Sequence, residues 1–225
     1  MLHDQAVTYG RTHQLNVAGM HPGASCLGPG KRFLLWVQGC LNQCPDCITP
    51  KMQPLEDRTW VPVEPLAQYI KEIADIEGIT VIGGEPFLQA GTVAELVTIL
   101  QEAGLSSMVY TGYVLEDILA RGDDAMRRLV ACTDILVDGP YRRDLDFSQK
   151  WRGSENQTIH FLTDRYRNWE WVIHSRERDV EIHMAENGNY LVLGIPVAGL
   201  YHGLTDILSH HSDSAEHGVK HDQIK

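Results

Sequence analysis

Long apolar runs are missing from this sequence. No stretch approaches the roughly 20 residues that a bilayer-spanning helix needs, and the start, MLHDQAVTYG, lacks the basic-then-apolar order of an export signal. Both absences lead to the expectation of a cytoplasmic protein with no membrane partner. Positive charge is scarce as well: 19 Lys and Arg stand against 30 Asp and Glu, a net charge of −11. That balance argues against a nucleic-acid partner, because neutralising phosphates needs clustered Lys and Arg. Cysteine is limited to five, an odd number, and three of them are Cys40, Cys44 and Cys47. In a reducing compartment an odd, crowded set disfavours a disulfide framework and points instead to metal binding or redox chemistry. No internal repeat is visible.

What the chain has is an alternation of strand-like and helix-like segments. With 43% hydrophobic and 22% charged residues over 225 positions, it is long enough for one sizeable core. RFLLWVQG (32–39) reads as a buried strand that ends in the cysteine loop. EPLAQYIKEIADIEG carries Leu66, Tyr69, Ile70, Ile73 and Ile76 at helical spacing, with Pro65 near its start and Gly78 after its end. ITVIGG and SSMVYTG read as strands, AGTVAELVTILQEAG as a helix, VLEDILARGDDAMRRLVAC as one or two helices, and DILVDG as a fourth strand. Strands alternating with helices imply a parallel sheet whose carboxyl ends gather ligand-binding groups. The ends here carry the cysteines, GGEP, YTGY and VDGPY. Beyond residue 164 the pattern changes: WEWVIHS, DVEIHMAENG and NYLVLGIP read as short antiparallel strands with ENGN as a turn. The stretch 201–225 is polar and His-rich, and its composition predicts a flexible tail.

Thiolates are soft ligands for zinc, copper(I) or iron-sulfur clusters. A structural zinc normally takes four protein ligands in two separated pairs, and the second pair is missing here. Three closely spaced thiolates suit three corners of a 4Fe-4S cube whose fourth iron stays open to an exogenous ligand. At this level two alternatives stand: a zinc site completed by a histidine such as His21, and unligated thiols. Cys26 and Cys132 read as small core or surface residues.

The Cys40-x3-Cys44-x2-Cys47 loop following a strand resembles the signature of the radical S-adenosylmethionine (radical SAM) superfamily. Gly83, Gly84, Glu85 and Pro86 in GGEP are similar to the superfamily's second motif, whose backbone receives the amino group of S-adenosylmethionine. VYTGYVLEDI, LVDGPYRRDL and WRGSENQ are further similar, in order and spacing, to the activating enzymes of anaerobic ribonucleotide reductase and other glycyl-radical enzymes. The resemblance covers about residues 14–164. It implies an α/β fold, an incomplete (β/α) barrel, as a core over 14–164, with a short β-rich C-terminal extension over 165–200.

The same resemblance implies an enzyme with a 4Fe-4S cluster and S-adenosylmethionine as cofactors. Reductive cleavage would yield a 5'-deoxyadenosyl radical that abstracts a hydrogen atom from a glycine of a partner. The implied partners are a glycyl-radical enzyme, foremost the anaerobic ribonucleotide reductase, and a low-potential electron donor such as flavodoxin or ferredoxin. Cys40, Cys44 and Cys47 are the implied metal ligands, and Gly83, Gly84, Glu85, Pro86, Thr111, Gly112, Asp138, Arg152 and Ser154 the implied cofactor-binding residues. Asp138 before Gly139 reads equally as a helix-cap or turn acid, and Arg152, Gly153, Ser154 and Asn156 as a surface turn. Lys31 and Arg32 either face the cluster or cap the sheet. His160, His174 and His183 read as core or surface imidazoles, and His210, His211, His217 and His221 carry no assigned role. Asp46 and Ile48 stand where relatives often have aromatic residues, so adenine would pack differently, with Trp36 or Tyr110 as candidates. Two other readings remain: a stand-alone radical SAM enzyme acting on a peptide or small molecule, and a non-catalytic metal-binding module.

Overall fold

Every residue of RFLLWV, Arg32–Val37 (β2), is buried, as a central strand covered on both faces requires. The computed structural model describes residues 11–147, 149–184, 190–196 and 200. In it, β2 runs parallel to Gly78–Gly83 (β4), which pairs parallel with Ser106–Tyr110 (β5) and that with Ile135–Asp138 (β6). These are the four parallel strands that the alternation predicts. Gln14–Ala24 (β1), Thr59–Pro62 (β3) and Thr158–Phe161 (β7) add antiparallel edges, giving a seven-stranded sheet of order β3-β1-β2-β4-β5-β6-β7. Sequence patterning missed β1 and β3. β1 reads QLNVAGMHPGA, with glycines and a proline and little strict alternation of burial, and β3 is a four-residue piece ending in Pro62.

The four α-helices of residues 63–131 lie on one face of this sheet. Val63–Lys71 (α1), Ala90–Glu102 (α2), Leu115–Arg121 (α3) and Asp124–Ala131 (α4) pack Leu66, Ile70, Val93, Val97, Leu100, Ile118 and Leu129 onto Phe33, Leu35, Val37, Ile79, Val81, Val109 and Leu136. The alternate residues of the same strands, Leu34, Trp36, Met108, Ile135 and Val137, face the other way. This period-two division is what a sheet with two covered faces demands.

The second face is covered from the C-terminal part of the chain. WEWVIHS is not a strand: Asp164–His174 is 3-10 helical. Its aromatic residues suit either structure, but Tyr166, Trp169, Val172 and Ile173 recur at a near-helical interval and seat together against Met108, Ile135, Val137 and Ile159. The remaining two expected strands are present as Val180–Met184 (β8) and Tyr190–Gly194 (β9), paired antiparallel as a separate sheet. The ENGN turn and the His-rich tail lie outside the described residues. The result is a mixed α/β sheet with interleaved helices and a C-terminal antiparallel hairpin.

Arg32 opens β2 at the end of the sheet opposite the cysteine loop, so it does not face that loop. Its fully buried guanidinium donates to Thr80 Oγ1, Pro29 O, Ser106 Oγ, Ile79 O and Ser106 O. Such complete use of the fork is what makes a buried arginine tolerable. Tyr166 reaches the same knot, donating to Ser106 Oγ at 2.6 Å or to Glu77 Oε1 at 2.7 Å.

Candidate active site

The carboxyl ends of β2, β4, β5 and β6 come together at one rim, and a hydrogen-bonded mesh joins the loops that leave them. The cysteine loop leaves β2 through Gly39, whose N–H donates to Met52 O, while Cys40 N–H donates to Gln53 O; the loop is thus closed on itself at its base. Within it Cys47 N–H donates to Cys44 O, and Gln53 Nε2 donates to Cys44 O. Thr49 Oγ1 lies 3.7 Å from Cys47 Sγ and donates to Gly83 O at 3.1 Å.

GGEP is stitched to that loop by its backbone. Gly84 N–H donates to Val37 O and Glu85 N–H to Gly39 O, both at 2.7 Å. A side chain on Gly84 would place its Cβ 2.2 Å from Gly39 O. Gly83 has φ +109°, and a Cβ there would meet Val37 N at 2.6 Å. These two glycines are required by close chain approach and by a left-handed backbone.

Glu85 is the hub. It is 1% exposed, yet its carboxylate accepts from Phe87 N and Thr111 Oγ1 on Oε1 and from Gly112 N and Asn42 Nδ2 on Oε2, at 2.8–3.0 Å. One side chain therefore joins the cysteine loop, the end of β4 and the end of β5. Burial pushes its pKa up to about 7, against the opposing pull of these donors. Gly112 also needs its missing side chain, since a Cβ would lie 2.3 Å from Asn42 Nδ2. Asn42 was not singled out by sequence reasoning; the only signal was a carboxamide inside the cysteine spacing.

Asp138 lies at the end of β6, 3% exposed. Its Oδ2 accepts from Leu115 N at 2.6 Å at the start of α3, and His160 Nε2 stands 3.1 Å from Oδ1 but too far off line for a hydrogen bond. The 150–157 turn organises itself: Gln157 Oε1 accepts from Gly153 N and Ser154 N, and the fully buried Ser154 accepts from Arg142 N on Oγ. Arg152 donates to Gln157 O and Ile173 O, tying the turn to the end of the 3-10 helix. Glu85, Thr111, Gly112 and the GGEP backbone thus share one mesh with the cysteine loop, whereas Asp138, Arg152 and Ser154 are engaged in neighbouring supports. Trp36 and Tyr110 lie on the face opposite the α-helices, where Trp36 is 7% exposed and Tyr110 donates to Trp151 O.

The three loop cysteines are half-buried and free. Burial pushes the Cys40 thiol up to about 11 and raises that of Cys44, whose neighbour Cys47 acts in the same direction. A metal centre reverses this tendency by supplying positive charge. Among the described residues no three Cys, His, Asp or Glu side chains converge as a cage for a single ion, and the corners of a cube stand further apart than the ligands of one ion. Three closely spaced thiols in one loop fit a cluster with one open iron. Beside the loop, Asp46 pairs with Arg143 at 2.9 Å, and a shallow cleft of about 490 Å³ is lined by Pro45, Asp46, Tyr141, Arg142, Arg143 and Asp144.

Comparison with known proteins agrees with this geometry. Residues 26–160 match a family described as a 4Fe-4S single cluster domain. The anaerobic ribonucleoside-triphosphate reductase-activating protein of Escherichia coli K12 is 32% identical over 155 residues, 60% of this chain and 91% of the relative. Its counterpart from Enterobacteria phage T4 is 28% identical over 157 residues, 67% of this chain and 96% of the relative. The pyruvate formate-lyase-activating enzyme of Listeria monocytogenes is 34% identical over 105 residues, 44% of this chain and 40% of the relative. With its thiols, its GGEP turn and the end of β5 joined through Glu85, the chain belongs to the 4Fe-4S single-cluster family of radical SAM proteins that includes the activating proteins of anaerobic ribonucleotide reductase.

Proposed function

We infer that this protein is an activase, and that its target is a glycine of an anaerobic ribonucleotide reductase or a closely related glycyl-radical enzyme. The single observation that carries this reading is the Glu85 mesh, which makes one rigid unit of the cysteine loop, GGEP and the Thr111-Gly112 turn. A shared unit of that kind is what simultaneous binding of a cluster and a small ligand requires. The relatives named above, matched over most of their own length, support the choice of partner class.

In this reading Cys40, Cys44 and Cys47 hold the cluster, and the GGEP backbone and Thr111-Gly112 receive S-adenosylmethionine at the rim. Bound there, these two cofactors supply the electron and the 5'-deoxyadenosyl radical that takes the hydrogen atom. The work of this chain is to orient and to exclude water. Glu85 fixes the angle between loop and turn, and Asn42 and Thr49 fix the loop against β4. The electron donor in this reading is a low-potential flavodoxin or ferredoxin, and the location is the cytoplasm. Among the described residues no helix is long and apolar enough to cross a membrane.

The test is electron paramagnetic resonance on protein purified and reconstituted without oxygen. The reduced cluster signal is expected to shift on adding S-adenosylmethionine, and a glycyl-radical doublet to appear on adding the cognate reductase. A cluster signal indifferent to S-adenosylmethionine overturns the cofactor assignment. Formation of 5'-deoxyadenosine with no protein radical overturns the partner assignment in favour of a small substrate.

A further inference from the structure

The face of the sheet opposite the four α-helices is apolar and belongs mostly to the part of the chain that the family shares: Leu34 and Trp36 on β2, Ile82 on β4 and Tyr110 on β5, together with Cys26 and Leu27, all lie within the matched residues 26–160. What covers this part of the face is the β8-β9 hairpin, which lies beyond that match. Leu193 seats into the group at 1% exposure, with Leu191 and Ile195 beside it. The activating proteins named above are matched over 91% and 96% of their length by 60% and 67% of this chain. The hairpin lies beyond residue 160, where the family match ends.

The two parts of the cover are attached very differently. The 3-10 helix Asp164–His174 buries Tyr166 and Val172 and enters the Arg32 knot. The hairpin buries one described residue, Leu193, while Ile182 is 46% and Met184 is 66% exposed. Among the described residues, Ser25 N–H donates to Glu181 Oε1 and His21 and His183 meet edge to face at 4.8 Å between ring centres, while Lys150 pairs with Asp179 at the base of the hairpin. Its stalk is held by Arg178, whose guanidinium donates to Asp146 Oδ1, Phe147 O, Arg152 O and Gly153 O, beside the 150–157 turn at the rim.

We propose that the apolar face under the β8-β9 hairpin is a docking surface for an extended segment of the protein that donates the hydrogen atom, and that the hairpin stands in for that segment until it arrives. The proposal rests on the activase reading. Its occupant is a protein segment because the seat is apolar, is already filled by a β-strand of this chain, and continues through Arg178 to the rim where the reaction takes place. An apolar face of that kind, once uncovered, marks an interaction site. Exchange of one strand for another on a fixed seat loses little contact and leaves the sheet unchanged.

Hydrogen-deuterium exchange on the reconstituted full chain, with and without the cognate anaerobic reductase, tests the proposal. Amides of 180–184 and 190–194 are expected to lose protection in the complex, while those near Tyr166 and Val172 keep theirs. Leu193→Asp, which weakens the seat, is expected to bind the reductase about tenfold more tightly, since less of the free protein then holds the covered state. Unchanged or increased hairpin protection in a formed complex overturns the proposal and leaves the activase reading standing. Failure of wild type and Leu193→Asp alike to bind the reductase, with 5'-deoxyadenosine still formed, overturns the activase reading and the proposal with it.

Discussion

Glu85 shows how one side chain decides the character of the site. A carboxylate can accept on both oxygens without donating, and here it faces two backbone amides that cannot turn away, Phe87 N on one oxygen and Gly112 N on the other. Glu85→Gln must present its NH2 to one of them, so it is expected to destabilise the protein by about 1–3 kcal/mol, the range for an unsatisfied buried donor, measurable by denaturant titration. Burial also sets a pH dependence. Because the folded pKa is raised from 4.5 to about 7, the folded state holds the proton more tightly, so the stability from Glu85 is complete below about 4.5 and is lost as pH rises through about 7. At about 1.4 kcal/mol for each pH unit, the loss is on the order of 3 kcal/mol. The stability of wild type relative to Glu85→Gln is therefore expected to fall between these limits in cluster-free protein. At the loop, Cys44→Ala is expected to abolish iron incorporation on reconstitution, and full iron content in that variant would count against the ligand set.

At the scale of the element, the ends of the parallel strands carry paired duties. Asp138 closes β6 and also satisfies the first N–H of α3, Leu115 N, at 2.6 Å. Asp138→Ala is expected to cost about 1 kcal/mol, as loss of a capping acceptor does, whereas Asp138→Asn keeps an acceptor there and is expected to retain stability. Calorimetry with S-adenosylmethionine on Asp138→Asn then separates the two readings of this residue: weaker binding assigns the carboxylate charge to the ligand, and unchanged binding leaves it a helix cap. The cysteine loop is likewise an element with two tasks, since the bonds that close its base, Gly39 N to Met52 O and Cys40 N to Gln53 O, also fix the short 3-10 turn Pro50–Met52 beside the end of β2.

At the scale of the molecule, the two faces of the sheet have different histories of support. The helices bury one face through their own amphipathic stripes, and this layer is continuous in sequence with the strands it covers. The other face is closed by the 3-10 helix Asp164–His174 and by β8 and β9, all later in the chain than the strands they cover. Arg178, with a side chain 3% exposed and paired with Asp146, anchors the stalk of the hairpin to the rim. Removing one partner of a buried pair leaves the other uncompensated, so Arg178→Ala is expected to cost about 3 kcal/mol. Thermal unfolding, in which each kcal/mol moves the midpoint of a chain this size by about 2–4 °C, checks that value.

Spacing located the three-thiol loop and most of the scaffold, while the cluster reading came from the resemblance to radical SAM proteins. Period-3.6 and buried-run patterns in EPLAQYIKEI, RFLLWV and ITVIGG reflect local burial, and local burial is written along the chain; three thiols in Cys40-x3-Cys44-x2-Cys47 carry their ligand chemistry wherever they sit. Tertiary structure decided what pairs across distance. β1 pairs along the edge that β2 offers and β3 along the edge that β1 offers in turn, and WEWVIHS became a 3-10 helix because Tyr166 and Val172 had a seat beneath β5 and β6. Arg32 turned inward because Thr80, Ser106 and the carbonyls of Pro29 and Ile79 converge on it. Glu85 became a hub for the same reason, since its four donors come from residues 42, 87, 111 and 112. Periodicity records how one residue meets its own element, and it holds no information about partners that only folding brings within hydrogen-bond reach.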